Sequence, residues 1–367
     1  NFVKNDQEET ESSTSKFQEI NLVKEREFGD CKEVTFGRMG LFDIDQYGRL
    51  YIAESKKGDR KVHVFADDGK YLTQLSREGD GPGEYRTLKS LSVISNKIYL
   101  YDSFHNRLSV FNQYTDSLQF QLEDEMNLSD LIPSNVDVKE GESLSDIFIF
   151  KNGTILIGLE DPMIPNNPER EIKYYLYEKD SASGSRYIFK QKAINIFSTK
   201  AGTSTVTMQL PFSGKPLIEV TELGLIFNAW SEQFKVDVLN LDGQNIRSIS
   251  IPFQNIKLEK DTVIQWYKPY AGFYKAIQQA SFPETWPAIE NMLIDDENRL
   301  WISTIVEDFD IYEWWVLEET GEMITRFKWP RNKPIKVIRN SAVYTLETDE
   351  ETGLQQVVRY GFELVER

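Results

Sequence analysis

The sequence predicts an all-β fold, a six-bladed β-propeller whose four-stranded antiparallel blades close into a ring. Three observations predict it. A hairpin-rich unit recurs along the 367 residues. The first-hairpin turns of the units fall at Gly48, Asn96, Gly153, Gly224, Asn298 and Asn340. Their spacing of roughly 40 to 75 residues suits propeller blades that carry insertions. The last unit runs out before its fourth strand, while a spare β run, INLVKEREF (residues 20–28), precedes the first.

In chain order, residues 1–16 form a polar opening rich in Ser, Thr and Glu. Such a stretch buries too little surface to fold alone. It reads as a disordered tether behind a trimmed secretory or lipid-anchor signal. Residues 17–367 read as one propeller domain, because no Pro/Gly/Ser linker interrupts the repeats. The N-terminal strand, about 18–29, is expected to complete the C-terminal blade, since closure removes exposed sheet edges.

Blade one, about 39–79, holds LFDIDQYGRLYIAES and KVHVFADDGKYLTQL. Alternating apolar runs broken at Tyr47-Gly48 and Asp68-Gly69 signal two hairpins. Blade two, about 86–124, turns at Ser95-Asn96 and around Thr115-Asp116. Blades three to six follow at about 144–192, 214–254, 288–330 and 335–367 with the same rhythm, the last one short of its fourth strand. Between blades one and two lies REGDGPGEY, residues 77–85. A phosphate-binding loop would need a helix after it, whose first amides do the binding. Here strand continues and no Lys-Ser/Thr pair follows. The glycines are expected to supply a tight crossing between blades.

The stretch GDGPGEYRTLKSLSVISNKIYLYDSFHNRLSVFN resembles an NHL-type propeller repeat at Gly79, Gly81, Gly83, Tyr85, Asp102, Asn106, Arg107, Leu108, Val110 and Phe111. Blade one matches less fully, and FPETWPAIENMLIDDENRLWIS resembles a later blade. Blades three, four and six keep the rhythm without the motif letters. The whole chain resembles six-bladed propellers of Bacteroides-type bacteria, lipid-anchored or secreted proteins with a polar N-terminal tether. That resemblance implies the fold and an extracytoplasmic, lipid-anchored setting in the periplasm or at the cell surface. It implies no activity, because propellers host many unrelated ones.

Composition narrows the function. The net charge of -17 repels nucleic acid and anionic headgroups, so neither is an expected partner. Cys31 is the only cysteine, so no internal disulfide forms, and it reads as a small buried hydrophobe. His63 and His105 are the only histidines, too few for a three-histidine zinc site. No apolar run is long enough for a spanning helix.

Three places could carry chemistry. In YDSFHNRLSVF, Asp102, His105 and Arg107 are candidate ligand contacts, or Asp102 and Asn106 satisfy turn amides while Arg107 pairs with Asp102. The insertion before blade five, residues 261–287, brings Trp266, Tyr267, Tyr270, Phe273, Tyr274 and Trp286, with helical composition in YAGFYKAIQQA. Aromatics beside a propeller mouth suit stacking on sugars or peptide side chains, or they form a satellite core. Asp43, Asp45, Asp295, Asp296 and Asp349 sit near turns, without the spacing of a calcium loop. No cofactor is expected, calcium being the one candidate.

The expectation is a monomeric, non-enzymatic binding module that engages a glycan, peptide or partner protein through one propeller face. The alternative is a metal-dependent hydrolase or lactonase at the ring centre, for which Glu54 and Glu160 would be members. A third reading is a scaffold positioning neighbouring surface proteins.

Overall fold

The computed structural model describes residues 18–113, 119–132, 136, 138–179 and 184–366. The polar opening and the Thr115-Asp116 turn lie outside them. The first strand is β1 (Gln18–Phe28). Blade one is β2 (Met39–Ile44), β3 (Leu50–Glu54), β4 (Lys61–Phe65) and β5 (Tyr71–Arg77). Blade two is β6 (Leu88–Ile94), β7 (Lys97–Asp102), β8 (Arg107–Gln113) and β9 (Phe120–Asn127). Blade three is β10 (Ser143–Ile149), β11 (Ile155–Glu160), β12 (Glu171–Tyr177) and β13 (Ser185–Lys192). A two-stranded hairpin follows, β14 (Ile196–Ala201) and β15 (Ser204–Gln209). Blade four is β16 (Pro216–Val220), β17 (Ile226–Trp230), β18 (Lys235–Leu239) and β19 (Asn245–Ser250). Two short helices, α1 (Lys260–Trp266) and α2 (Ala271–Ile277), precede blade five. That blade is β20 (Asn291–Ile294), β21 (Leu300–Ile305), β22 (Ile311–Leu317) and β23 (Met323–Pro330). Blade six is β24 (Ile335–Arg339), β25 (Ala342–Thr348) and β26 (Gln355–Glu366), with β1 outermost.

Ring closure is as the truncated last unit demanded. β1 pairs antiparallel with β26 from Gln18 opposite Glu366 to Phe28 opposite Val357. Ile20 and Leu22 thereby pack onto the apolar cluster around Trp301 and Val343.

The core lies between blades rather than inside any one of them. Successive residues of a strand point to opposite sheet faces. In β17, Ile226 joins Tyr174 and Leu176 of blade three, while the next residue, Phe227, joins Ile302 and Trp315 of blade five. Every neighbouring pair of blades shares such a cluster, from blades one and two round to blades six and one. Central strands are therefore apolar on both faces. All five residues of β3 and all six of β21 are buried, where alternating apolar runs were the expectation. Both faces are covered, so both are apolar.

The β14–β15 hairpin has no counterpart in the expected blades. Its β15 residues are mostly exposed, so the strand carries little of the apolar pattern by which strands are read. Gln279, just past the end of α2, ties the hairpin down: Thr199 Oγ1 donates to the Gln279 side-chain oxygen, and the Gln279 amide donates to the Lys200 carbonyl.

Each blade is a simple meander, so its first and third turns lie at one mouth of the ring. Second turns and blade-to-blade crossings lie at the other. The inner strands expose an unpaired edge to the axis, and such groups need partners. Asp43 accepts the Val93 amide at 2.7 Å, reaching from blade one to blade two. Arg339 of blade six donates to the Ile44 and Val93 carbonyls at 3.0 and 2.9 Å.

Candidate functional site

The crossing mouth carries both the Asp102 loop and the aromatic insertion. In the REGDGPGEY crossing two of the glycine amides are already taken. Its own Glu84 carboxylate folds back to accept the Gly81 amide, and Glu125 accepts the Gly83 amide. Only Gly83 has a positive φ, 71°. Gly79 and Gly81 have ordinary backbone; a Cβ on Gly79 would collide with the Glu84 carboxylate. Close approach, more than turn geometry, requires those two glycines.

Asp102 is almost fully buried and accepts the amides of Arg86, Thr87 and Phe104. Its carboxylate also meets His105 Nδ1 at 2.6 Å. Burial by itself would raise the Asp102 carboxyl. The Arg86 and Thr87 amides and the His105 ring outweigh that and hold it below the usual carboxylate range. Arg107 does not pair with Asp102, contrary to expectation. It donates to the Gly81 and Glu84 carbonyls and lies 3.4 Å from Glu125, because the crossing passes beside it. His105 Nε2 lies 3.2 Å from Asp80 in the same crossing. These three residues are occupied in holding the loop and present no free ligand-binding group beyond the partly exposed His105 edge.

The insertion divides in two. Trp286 is buried in a satellite core with Leu210, Phe212, Val263, Ile264 and Ile277, against which Tyr267 and Tyr274 pack. Those three aromatics are structural. Trp266, Tyr270 and Phe273 keep 43%, 61% and 42% of their surface exposed. The Trp266 ring lies 5.8 Å from Trp286 and meets Phe309 edge-on at 5.6 Å.

Phe309, in the β21–β22 loop, opens a groove of about 590 Å3. Its other walls include Gln254, Asn255, Ile256, Lys257, Thr285 and Glu307. Asn255 ties the floor by donating to the Glu232 and Trp286 carbonyls. Arg331 stacks behind Phe309 at 4.7 Å. Among the described residues, the Gln254 and Glu307 side chains make no hydrogen bond. The groove therefore combines one fixed aromatic edge with open amide and carboxylate groups. Sequence reasoning named Trp266 but missed Phe309, Gln254 and Glu307. A lone phenylalanine between acids in EDFD was the available signal.

The acidic candidates are already answered. Asp45 accepts the Tyr47 and Arg49 amides and pairs with Arg49 Nε at 2.6 Å. Asp295 repeats this with Glu297, Arg299 and the Trp301 indole N–H. Asp296 accepts the Asn340 amide, and Asp349 caps its own turn at Glu351 and Thr352. Glu54 accepts the Gly37 and Arg38 amides, and Glu160 pairs with buried Arg170 at 2.6 Å. Among the described residues, no three His, Cys, Asp or Glu side chains are grouped to hold a metal ion. No helix among them is long and apolar enough to cross a membrane.

Comparison with known proteins agrees with the fold. A model of the DUF5128 family, described as a 6-bladed β-propeller, matches residues 31–154. The chain is similar over 95% of its length to a solved DUF4221-family structure from Bacteroides vulgatus, covering 99% of that chain at 13% identity and a TM-score of 0.57. It is also similar to a Bacteroides fragilis protein described as exported, covering 97% of this chain and 98% of that one at 12% identity and a TM-score of 0.51. At such identities the likeness shows the fold alone. No curated protein matches the sequence.

Proposed function

We propose that this chain is a non-enzymatic binding module, working outside the cytoplasmic membrane, that holds a glycan in the groove at Phe309, whose ring is backed by the exposed Trp266. One observation carries the reading: an exposed tryptophan is fixed edge-on against a second aromatic, beside unpaired Gln254 and Glu307 side chains. A sugar presents an apolar C–H face and a rim of hydroxyls. The aromatic edge suits the first, and the amide and carboxylate suit the second. The extracytoplasmic setting draws support from the exported description of the Bacteroides fragilis protein. A lipid anchor upstream of the polar opening belongs to the same proposal.

A glycan array probed with the full chain tests this, followed by the Trp266→Ala and Glu307→Gln variants. Binding that either variant weakens tenfold or more, with thermal unfolding preserved, supports the groove. Glycan binding untouched by both variants, or no glycan bound at all, overturns it.

A further inference from the structure

The axis of the ring offers a second, unrelated site. At the turn mouth a funnel of about 310 Å3 is bounded by residues of all six blades, among them Gln46, Ser95, Lys151, Glu222, Asp296 and Asn340. It leads into an inner channel of about 230 Å3, and both are bordered by Val220, Glu222, Ile294 and Arg339. Arg339 and Lys151 approach Glu222 only to 3.6 and 3.8 Å. Those distances exceed a normal hydrogen bond, so the entrance is loosely closed.

Inside the channel, Glu219 of β16 and Asp43 of β2 hold the same position in their blades. Each stands two residues before the first-hairpin turn, opened by Thr221 in one and Asp45 in the other. Asp43 has partners: burial raises its carboxyl above the usual range, but Arg339 and the Ile44 and Val93 amides it accepts oppose that rise. The Glu219 side chain has no hydrogen bond and no ion pair among the described residues. Burial, with no charge near enough to offset it, pushes its carboxyl up to about 8. An unanswered polar group inside a protein calls for an explanation.

We propose that the inner channel binds an organic cation, an ammonium group on a short alkyl chain, with Glu219 as its counter-ion. The wall fits both ends of such a ligand. Ile147 and Phe148 of β10, Leu293 of β20 and Val337 of β24 supply apolar contacts for the chain. The charged groups bordering the same channel are Asp43, Glu222, Lys336 and Arg339. Arg339 is committed to carbonyls, and Lys336 is held below its ordinary value by burial and by Lys215. β17 places Phe227, an uncharged residue, directly opposite Glu219. The inference is independent of the glycan groove, which lies at the other mouth.

Calorimetric titration of the full chain with n-butylammonium, n-butanol and butyrate tests it. Butylammonium alone is expected to bind, about tenfold more tightly at about pH 9 than at about pH 7, because Glu219 ionises between them. Glu219→Gln should abolish both the binding and its pH dependence, while Glu169→Gln in the exposed β11–β12 loop at the other mouth should leave both intact. The wild-type measurement stands even where Glu219→Gln fails to fold. The proposal is overturned by no butylammonium binding, by equal binding of butanol, by preference for butyrate, by an affinity that is flat between the two pH values, or by a folded Glu219→Gln that binds as the wild type does.

Discussion

His105 places its Nδ1 2.6 Å from a carboxylate oxygen of Asp102, closing a ring of donors around a buried charge. Three backbone amides complete that ring. Asp102→Asn keeps the shape but loses the charge and one acceptor oxygen. It is expected to destabilise the fold by about 1–3 kcal/mol, read from urea unfolding, and to leave ligand binding unchanged. An unaltered unfolding midpoint would contradict this structural role.

Stability falls on mild acidification because of His63. The ring is buried between Phe36 and Tyr71, at 5.3 and 5.9 Å, and its Nδ1 has no partner among the described residues. Burial, aided by Lys61, lowers its pKa to about 4. The unfolded chain takes up the proton near 6.5 and the folded one does not. Stability is therefore full above about 6.5 and is lost as pH falls towards 4, by up to roughly 3 kcal/mol. His63→Phe should flatten this part of the stability curve, and identical acid profiles for both proteins would refute it.

Trp266 and Trp286 stack against each other yet predict opposite phenotypes. Trp286→Ala empties the satellite core and is expected to cost about 3–5 kcal/mol. Trp266→Ala removes a half-exposed ring, so its main effect should fall on glycan affinity. Thermal unfolding and binding, measured on both variants, separate the two. Equal loss of stability in both would mean that Trp266 is a core residue.

Ring closure depends on a strand some 330 residues from its partner in the chain. Removing residues 1–28 uncovers the β26 edge and the cluster that Ile20 and Leu22 cover. Open edges recruit other chains. Light scattering should show the shortened protein as oligomers or aggregates, and a stable monomer would show that blade six does not need β1.

The blades were legible because turn chemistry is local. Gly48, Gly153 and Gly224 hold positive φ, as do Asn298 and Asn340, and each marks a first hairpin. The missing fourth strand of the last unit foretold the pairing of β1 with β26. The β14–β15 hairpin escaped notice because β15 is mostly exposed and only Phe197 and Met208 of the pair reach the satellite core. Trp286 and Trp266, alike in sequence, were separated only by which of them met Leu210, Phe212 and Ile277.

What the sequence by itself determined is the repeat: strands, turns, their order, and the strand that closes the ring. Each follows from side-chain alternation and from turn residues within a few positions of one another. What only the tertiary structure decided is which polar groups are answered. Asp43 and Glu219 occupy the same place in two blades, yet one finds amides and an arginine while the other finds none. Partners for such groups come from other blades, tens to hundreds of residues away in the chain, and are set by how the ring closes.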